Sequence, residues 1–180
     1  MDRFPFSESV EYSYRRRFSK AKGGHKGTDI FAPKGTKVLA VAPGLAKSRI
    51  ETKGGNVAYL EADNGTCYYY GHLETWALKL TARGEARVEA GDPIGIVGTS
   101  GSAEGTEPHV HFQTRIPIGF LGRTAVVDPF DELQKADPKH EAEPGFFDRT
   151  QEWLDSLSAA PVNAALLVGA LYLLSQRGRD

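Results

Sequence analysis

The chain has 180 residues, 40% hydrophobic and 25% charged, a balance that suits one globular domain with a modest appendage. A formal net charge of -1 supplies no global field for nucleic acid, and no nucleic-acid partner is expected. The single cysteine, Cys67, excludes an internal disulfide and any cysteine-rich zinc cluster, and is expected to be a buried core thiol.

The first residues, "MDRFPFSESVEYSYRRRF", have no basic start followed by an apolar run, so they do not read as a secretory signal. Arg15, Arg16, Arg17, Lys20, Lys22 and Lys26 form a local basic cluster, read as a solvated rim or a contact for an anionic polymer. Next, "GGHKGTDIFAPKGT" places His25 four residues before Asp29. Helical spacing would put both on one face, but Gly23, Gly24 and Gly27 argue against a helix. A turn entering a strand at Ile30 is expected to bring the two side chains together.

From residue 36 to 113, short Val-, Ile- and Tyr-rich runs alternate with Gly, Pro and Asn-Gly turns. Strands are predicted at "TKVLAVA", "AKSRIE", "NVAYLEA", "TCYYYGHL", "PIGIVG" and "HVHFQT", which makes the core mainly antiparallel β. Asn64-Gly65-Thr66 is read as a hairpin turn rather than a glycosylation site. "KGTKVLAVAPG" and "AGDPIGIVGTSG" resemble each other, a weak repeat consistent with two related β units.

After "VVDPF" the composition changes. The charged, proline-punctuated residues 131–145 read as a linker between a domain over 1–130 and a helical C-terminal appendage over 146–180. In that appendage Phe146, Phe147, Thr150, Trp153, Leu154 and Leu157 follow helical spacing. Residues 159–174, "AAPVNAALLVGALYLL", are apolar except for Asn163 and are followed by Arg177 and Arg179. This run falls just short of the roughly 17–25 residues that span a bilayer. A self-association helix and a membrane anchor are both open readings.

Four of the five histidines fall in Gly-rich turns or at strand ends. His109 and His111 share one strand face because side chains alternate along a strand. His25 and Asp29, joined by His111 from a neighbouring strand, would offer two imidazoles and a carboxylate to Zn²⁺ and leave one tetrahedral position for water, the pattern of a catalytic site. His72 and His109 are then the candidates to move protons, and His140 in the charged segment is a bystander.

"HKGTDIFAPKGTKVLAV", "YYYGHL" and "GTSGSAEGTEPHVHF", in that order, resemble the lysostaphin-type, LytM-like zinc metallopeptidases that cut peptide stems or cross-bridges of bacterial peptidoglycan. The resemblance covers roughly residues 15 to 130. It implies a compact antiparallel β sandwich or barrel built from a duplicated motif. It also implies one zinc ion per chain held by His25, Asp29 and His111, with His72 and His109 as catalytic histidines, and a peptidoglycan peptide as substrate. Action at the cell wall follows from that substrate, whether extracytoplasmic or carried by a phage particle.

An inactive member that binds peptidoglycan or activates another hydrolase is the nearest alternative. Such proteins typically lack a ligand, whereas all five positions are filled here. A sugar-transport phosphocarrier shares the β architecture and uses paired histidines, but Asp29 and the His-x-His strand favour zinc. "GTSGSAEGT" lacks the Gly-Lys-Ser/Thr ending of a phosphate-binding loop, and no His-Glu-x-x-His helix is present.

Overall fold

The structure, a computed structural model, describes residues 1–78, 84–118 and 123–140, all within one contact unit, Met1–His140. The amphipathic segment predicted after residue 145 and the apolar run 159–174 lie outside the described residues. Among those described, no helix is long and apolar enough to cross a membrane.

Among the described residues, ten strands form one continuous antiparallel sheet: β1 (Ser13–Tyr14), β2 (Thr28–Phe31), β3 (Lys37–Leu39), β4 (Gly44–Glu51), β5 (Gly55–Ala62), β6 (Cys67–Trp76), β7 (Glu85–Val88), β8 (Pro93–Val97), β9 (His109–Ile118) and β10 (Arg123–Val127). The mainly antiparallel β architecture expected from the sequence is present. The main path runs β1-β2-β9-β6-β5-β4-β7. Two strands are shared between partners. β9 pairs β2 through its first half and β10 through its second, while β6 pairs β9 through Cys67–Gly71 and β8 through Leu73–Trp76. The two similar segments of sequence supply β3 and β8, which pair with each other.

Alternation decides what each face does. On β9, Val110, Phe112 and Thr114 are buried, and their cross-strand neighbours Ile30, Tyr68 and Tyr70 fill the same core. Each large apolar side chain taken fully out of water here contributes roughly 1.5–3 kcal/mol. Tyr70 keeps its hydroxyl satisfied in this core by accepting from the Val41 amide at 3.0 Å. His109, His111, Gln113 and Arg115 occupy the other face of β9. The Asn64-Gly65-Thr66 turn joins β5 to β6, with Gly65 at φ +83° and the Thr66 amide donating to Asn64 Oδ1 at 2.9 Å.

Two sequence expectations are corrected. Residues 131–136, read as part of a linker, continue the helix α1 (Phe130–Ala136), and Leu133 is fully buried in the core. Asp137, at the end of α1, accepts hydrogen bonds from the Tyr12 and Tyr14 hydroxyls, and Arg16 pairs with Asp128 at 3.2 Å and with Asp131. The N-terminal segment and α1 are thus fastened to each other, and Phe4 and Phe6 enter the same core. Cys67 is half-buried rather than a core thiol. It projects on the face of Tyr69, opposite Arg115 in register, and burial pushes its thiol up. The register of β6 against β5 shifts between Tyr70 and Leu73, so the alternation that runs from Cys67 through Tyr69 does not continue unbroken to His72.

Candidate active site

His25 and Asp29 meet without a helix. His25 lies in the turn before β2, Asp29 is the second residue of β2, and His25 Nε2 stands 3.0 Å from Asp29 Oδ1. Across the sheet Asp29 is the register partner of His111, whose Nδ1 donates to the same oxygen at 2.8 Å. The His25 and His111 rings meet edge to face, 4.7 Å between centroids. Three donor atoms, one from each residue, therefore lie within 4.8 Å of one another. His25 Nδ1 is buried with no hydrogen-bond partner among the described residues. Two imidazole nitrogens and one carboxylate oxygen converging in this way fit a zinc ion, whose preferred ligands they are.

Burial pushes the Asp29 carboxyl up, but the hydrogen bond from His111 and the charges of His111, His25 and His109 outweigh it and bring it down to about 2. The carboxylate is thus ionised at any working pH.

His109 and His72 stand beside this trio and differ from it in how they are held. His109 Nδ1 donates to the Glu107 carbonyl oxygen at 2.7 Å, which leaves Nε2 facing Asp29 at 4.0 Å. Its ring packs on Phe31, its register partner, at 5.2 Å. His72 Nδ1 donates to the Ser100 carbonyl oxygen at 2.8 Å, and its ring lies 5.0 Å from that of His109 and 6.0 Å from that of His111. Both residues are only 8% exposed. Burial lowers the His72 imidazole, and the charges of His109 and His111 add to this, while the hydrogen bond to Ser100 and Asp29 oppose it. The net result keeps His72 neutral at pH 7.

His72 sits where β6 changes partner from β9 to β8, and it is the one non-glycine residue among those described with positive φ, +63°. Two contacts hold this conformation: its amide donates to the Gly54 carbonyl oxygen at 2.7 Å, and its ring is tied to Ser100. Ser100 is fixed in turn, its hydroxyl donating to the Leu73 carbonyl oxygen at 2.7 Å and accepting from the Asn56 amide at 2.9 Å.

All five candidate residues from the sequence are brought together, and His140 is exposed after α1. Sequence reasoning missed the carbonyl anchors at Ser100 and Glu107, which carry no side-chain signal. It also passed over Gln113 and Arg115, although the alternation that paired His109 with His111 continues straight to them.

The model of peptidase family M23 matches residues 23–129. The DD-carboxypeptidase/endopeptidase Mpg of Neisseria meningitidis serogroup B is 34% identical over 114 residues, covering 63% of this chain and 25% of that protein. Among solved structures, a putative glycyl-glycine endopeptidase LytM from Ruminococcus gnavus superposes with a TM-score of 0.64 at 28% identity, covering 76% of this chain and 60% of that one. Lysostaphin from Staphylococcus simulans gives a TM-score of 0.58 at 27% identity, covering 75% and 56%. The chain thus spans about a quarter of the length of the curated Mpg relatives it matches. The match to the family model covers more than half of the chain, and it includes all five converging residues: this protein belongs to peptidase family M23.

Proposed function

We propose that this domain is a zinc-dependent endopeptidase that hydrolyses peptide bonds in the stems or cross-bridges of bacterial peptidoglycan. His25 Nε2, Asp29 and His111 Nδ1 hold one zinc per chain, and His72 and His109 are the catalytic histidines. The supporting observation is the division of the five residues into three converging donors and two imidazoles whose Nδ1 atoms are tied to main-chain carbonyls. The names of the relatives, a DD-carboxypeptidase/endopeptidase among them, support the substrate class.

A zinc ion on these donors would polarise a scissile carbonyl and lower the pKa of a bound water. The protein's own groups do the rest. With Nδ1–H anchored to a carbonyl, each of the two imidazoles has Nε2 left free to take or give a proton. His72, kept neutral by burial, suits the general base, which then returns the proton to the leaving amine. His109, its Nε2 directly beside Asp29, would donate a hydrogen bond to charge developing on the substrate once that nitrogen carries a proton. Asp29, ionised throughout, balances the positive charge of the cluster.

In this reading the enzyme acts at the cell wall, and the apolar run 159–174 serves either as a membrane anchor or for self-association. Recovery of the protein wholly in the soluble fraction, both with and without residues 159–180, counts against the membrane route.

The central test is metal content beside wall lysis. The purified protein should carry about one zinc per chain, His111→Ala should lose both metal and lysis, and His109→Ala should keep the metal and lose lysis. Full wall hydrolysis by zinc-free His111→Ala protein overturns the mechanism.

A further inference from the structure

We propose that Gln113 is a positioning residue for His111, oriented by Arg115, and that it sets how tightly the three-donor cluster holds its metal. The proposal rests on the zinc reading of that cluster. Gln113 and Arg115 continue the face of β9 that carries His109 and His111. Arg115 donates to Gln113 Oε1 through Nε at 3.1 Å and Nη2 at 2.8 Å. A guanidinium has donors only, so this contact defines which end of the amide is oxygen. Gln113 Nε2 is thereby turned toward His111 Nε2, to which it donates at 2.9 Å.

Arg115 is itself held in place. Its guanidinium lies over the rings of Tyr59 and Tyr69, 5.5 and 5.2 Å from their centroids. Both tyrosine hydroxyls donate to Glu51, at 2.5 and 3.2 Å. Gly27 also borders the Nε2 edge of His111, where a Cβ would stand 2.9 Å from Nε2 and 3.0 Å from Gln113 Cγ. With that edge enclosed, the Nδ1 edge is left for Asp29 and a cation. This accounts for the different nitrogens that the two histidines turn to Asp29, Nε2 from His25 and Nδ1 from His111.

An imidazole that binds a metal through one nitrogen is steered by the hydrogen bond at the other, and loss of that outer partner typically costs ~10- to 100-fold in metal affinity. With a metal on Nδ1 the ring N–H would lie on Nε2, and Gln113 would meet it only by turning its amide oxygen to the ring and giving up its bonds from Arg115. A glutamate at this position would face one oxygen to the ring and one to Arg115 without turning.

The test is the zinc dissociation constant, measured by competition with a chelator on full-length protein. Gln113→Leu should bind zinc ~10- to 100-fold more weakly than wild type. Gln113→Glu should bind at least as tightly as wild type, which a merely structural role for the side chain would not produce. In metal-free wild type, the ¹⁵N signals of the His111 ring should report the proton on Nδ1, where Asp29 accepts it, and Gln113→Leu should shift the Nε2 signal because that nitrogen loses its donor. Zinc affinity of Gln113→Leu within twofold of wild type overturns the proposal, and so does an equal loss in Gln113→Leu and Gln113→Glu. If wild type itself takes no zinc, the zinc reading of the whole site falls first, a result distinct from a failure of Gln113 alone.

Discussion

The Ser100 carbonyl oxygen accepts a hydrogen bond from His72 Nδ1 at 2.8 Å, joining residues 28 apart in the chain. That bond holds the ring of a histidine whose backbone is left-handed, at φ +63°. Such a conformation costs an L-residue with a Cβ roughly 1–2 kcal/mol and costs glycine almost nothing. The usual ranking of alanine above glycine in a strand should therefore reverse at this position. His72→Gly is expected to be more stable than His72→Ala by about 1 kcal/mol, read from denaturant midpoints with unchanged slopes, and both variants should be inactive. Alanine proving the more stable would show that the left-handed conformation relaxes once the ring is gone.

The lowered Asp29 carboxyl gives a second expectation. Its folded value, about 2, lies below the ordinary value of 3.8, so the carboxylate form stabilises the fold. That contribution is fully present above the unfolded value and is lost as pH falls through the folded one. In metal-free protein, wild type should be more stable than Asp29→Asn at pH 5, and the gap should close as pH is taken from about 4 toward 2. A gap independent of pH would mean that the carboxylate charge contributes nothing.

Gly27 supplies a third. A Cβ at this position would collide with the Phe112 carbonyl oxygen and press on His111 Nε2. Gly27→Ala is expected to destabilise the fold by about 1–3 kcal/mol, since β2 and β9 cannot separate without breaking their ladder. It should also weaken zinc binding, because the same shift moves Asp29 relative to its register partner His111. Thermal unfolding and chelator competition on the one variant check both effects.

A fourth concerns α1. Leu133 is fully buried, and the side-chain hydrogen bonds of its helix go to Arg16 and Thr114, which are not members of the histidine cluster. Leu133→Ala should cost about 2–5 kcal/mol of stability while leaving zinc affinity unchanged. A variant as stable as wild type would return residues 131–136 to the status of a linker.

The β character, most strand positions and the five residues that converge in the fold were legible in the sequence, because alternation and turn chemistry are local signals. His109 and His111 had to share a face once "HVHFQT" was a strand, and the observed β9 agrees. Strands β1, β7 and β10 were not anticipated, since two to five residues of mixed character are recognisable only beside the partners that pair with them. Helix α1 was hidden for a similar reason. Its single buried residue cannot form a periodic pattern, and its place depends on tyrosines more than a hundred residues earlier.

The sequence by itself determined which groups can hold a metal or carry a proton, since residue types and strand periodicity are written in the chain. Which nitrogen of each histidine is free was decided by tertiary structure alone. That choice depends on hydrogen bonds from Gln113 and to the carbonyls of Ser100 and Glu107, and a main-chain carbonyl has no letter in a sequence. The bend that aims His72 belongs to the same class. It arises where one strand passes between two partners, a relation that exists only once the sheet has formed.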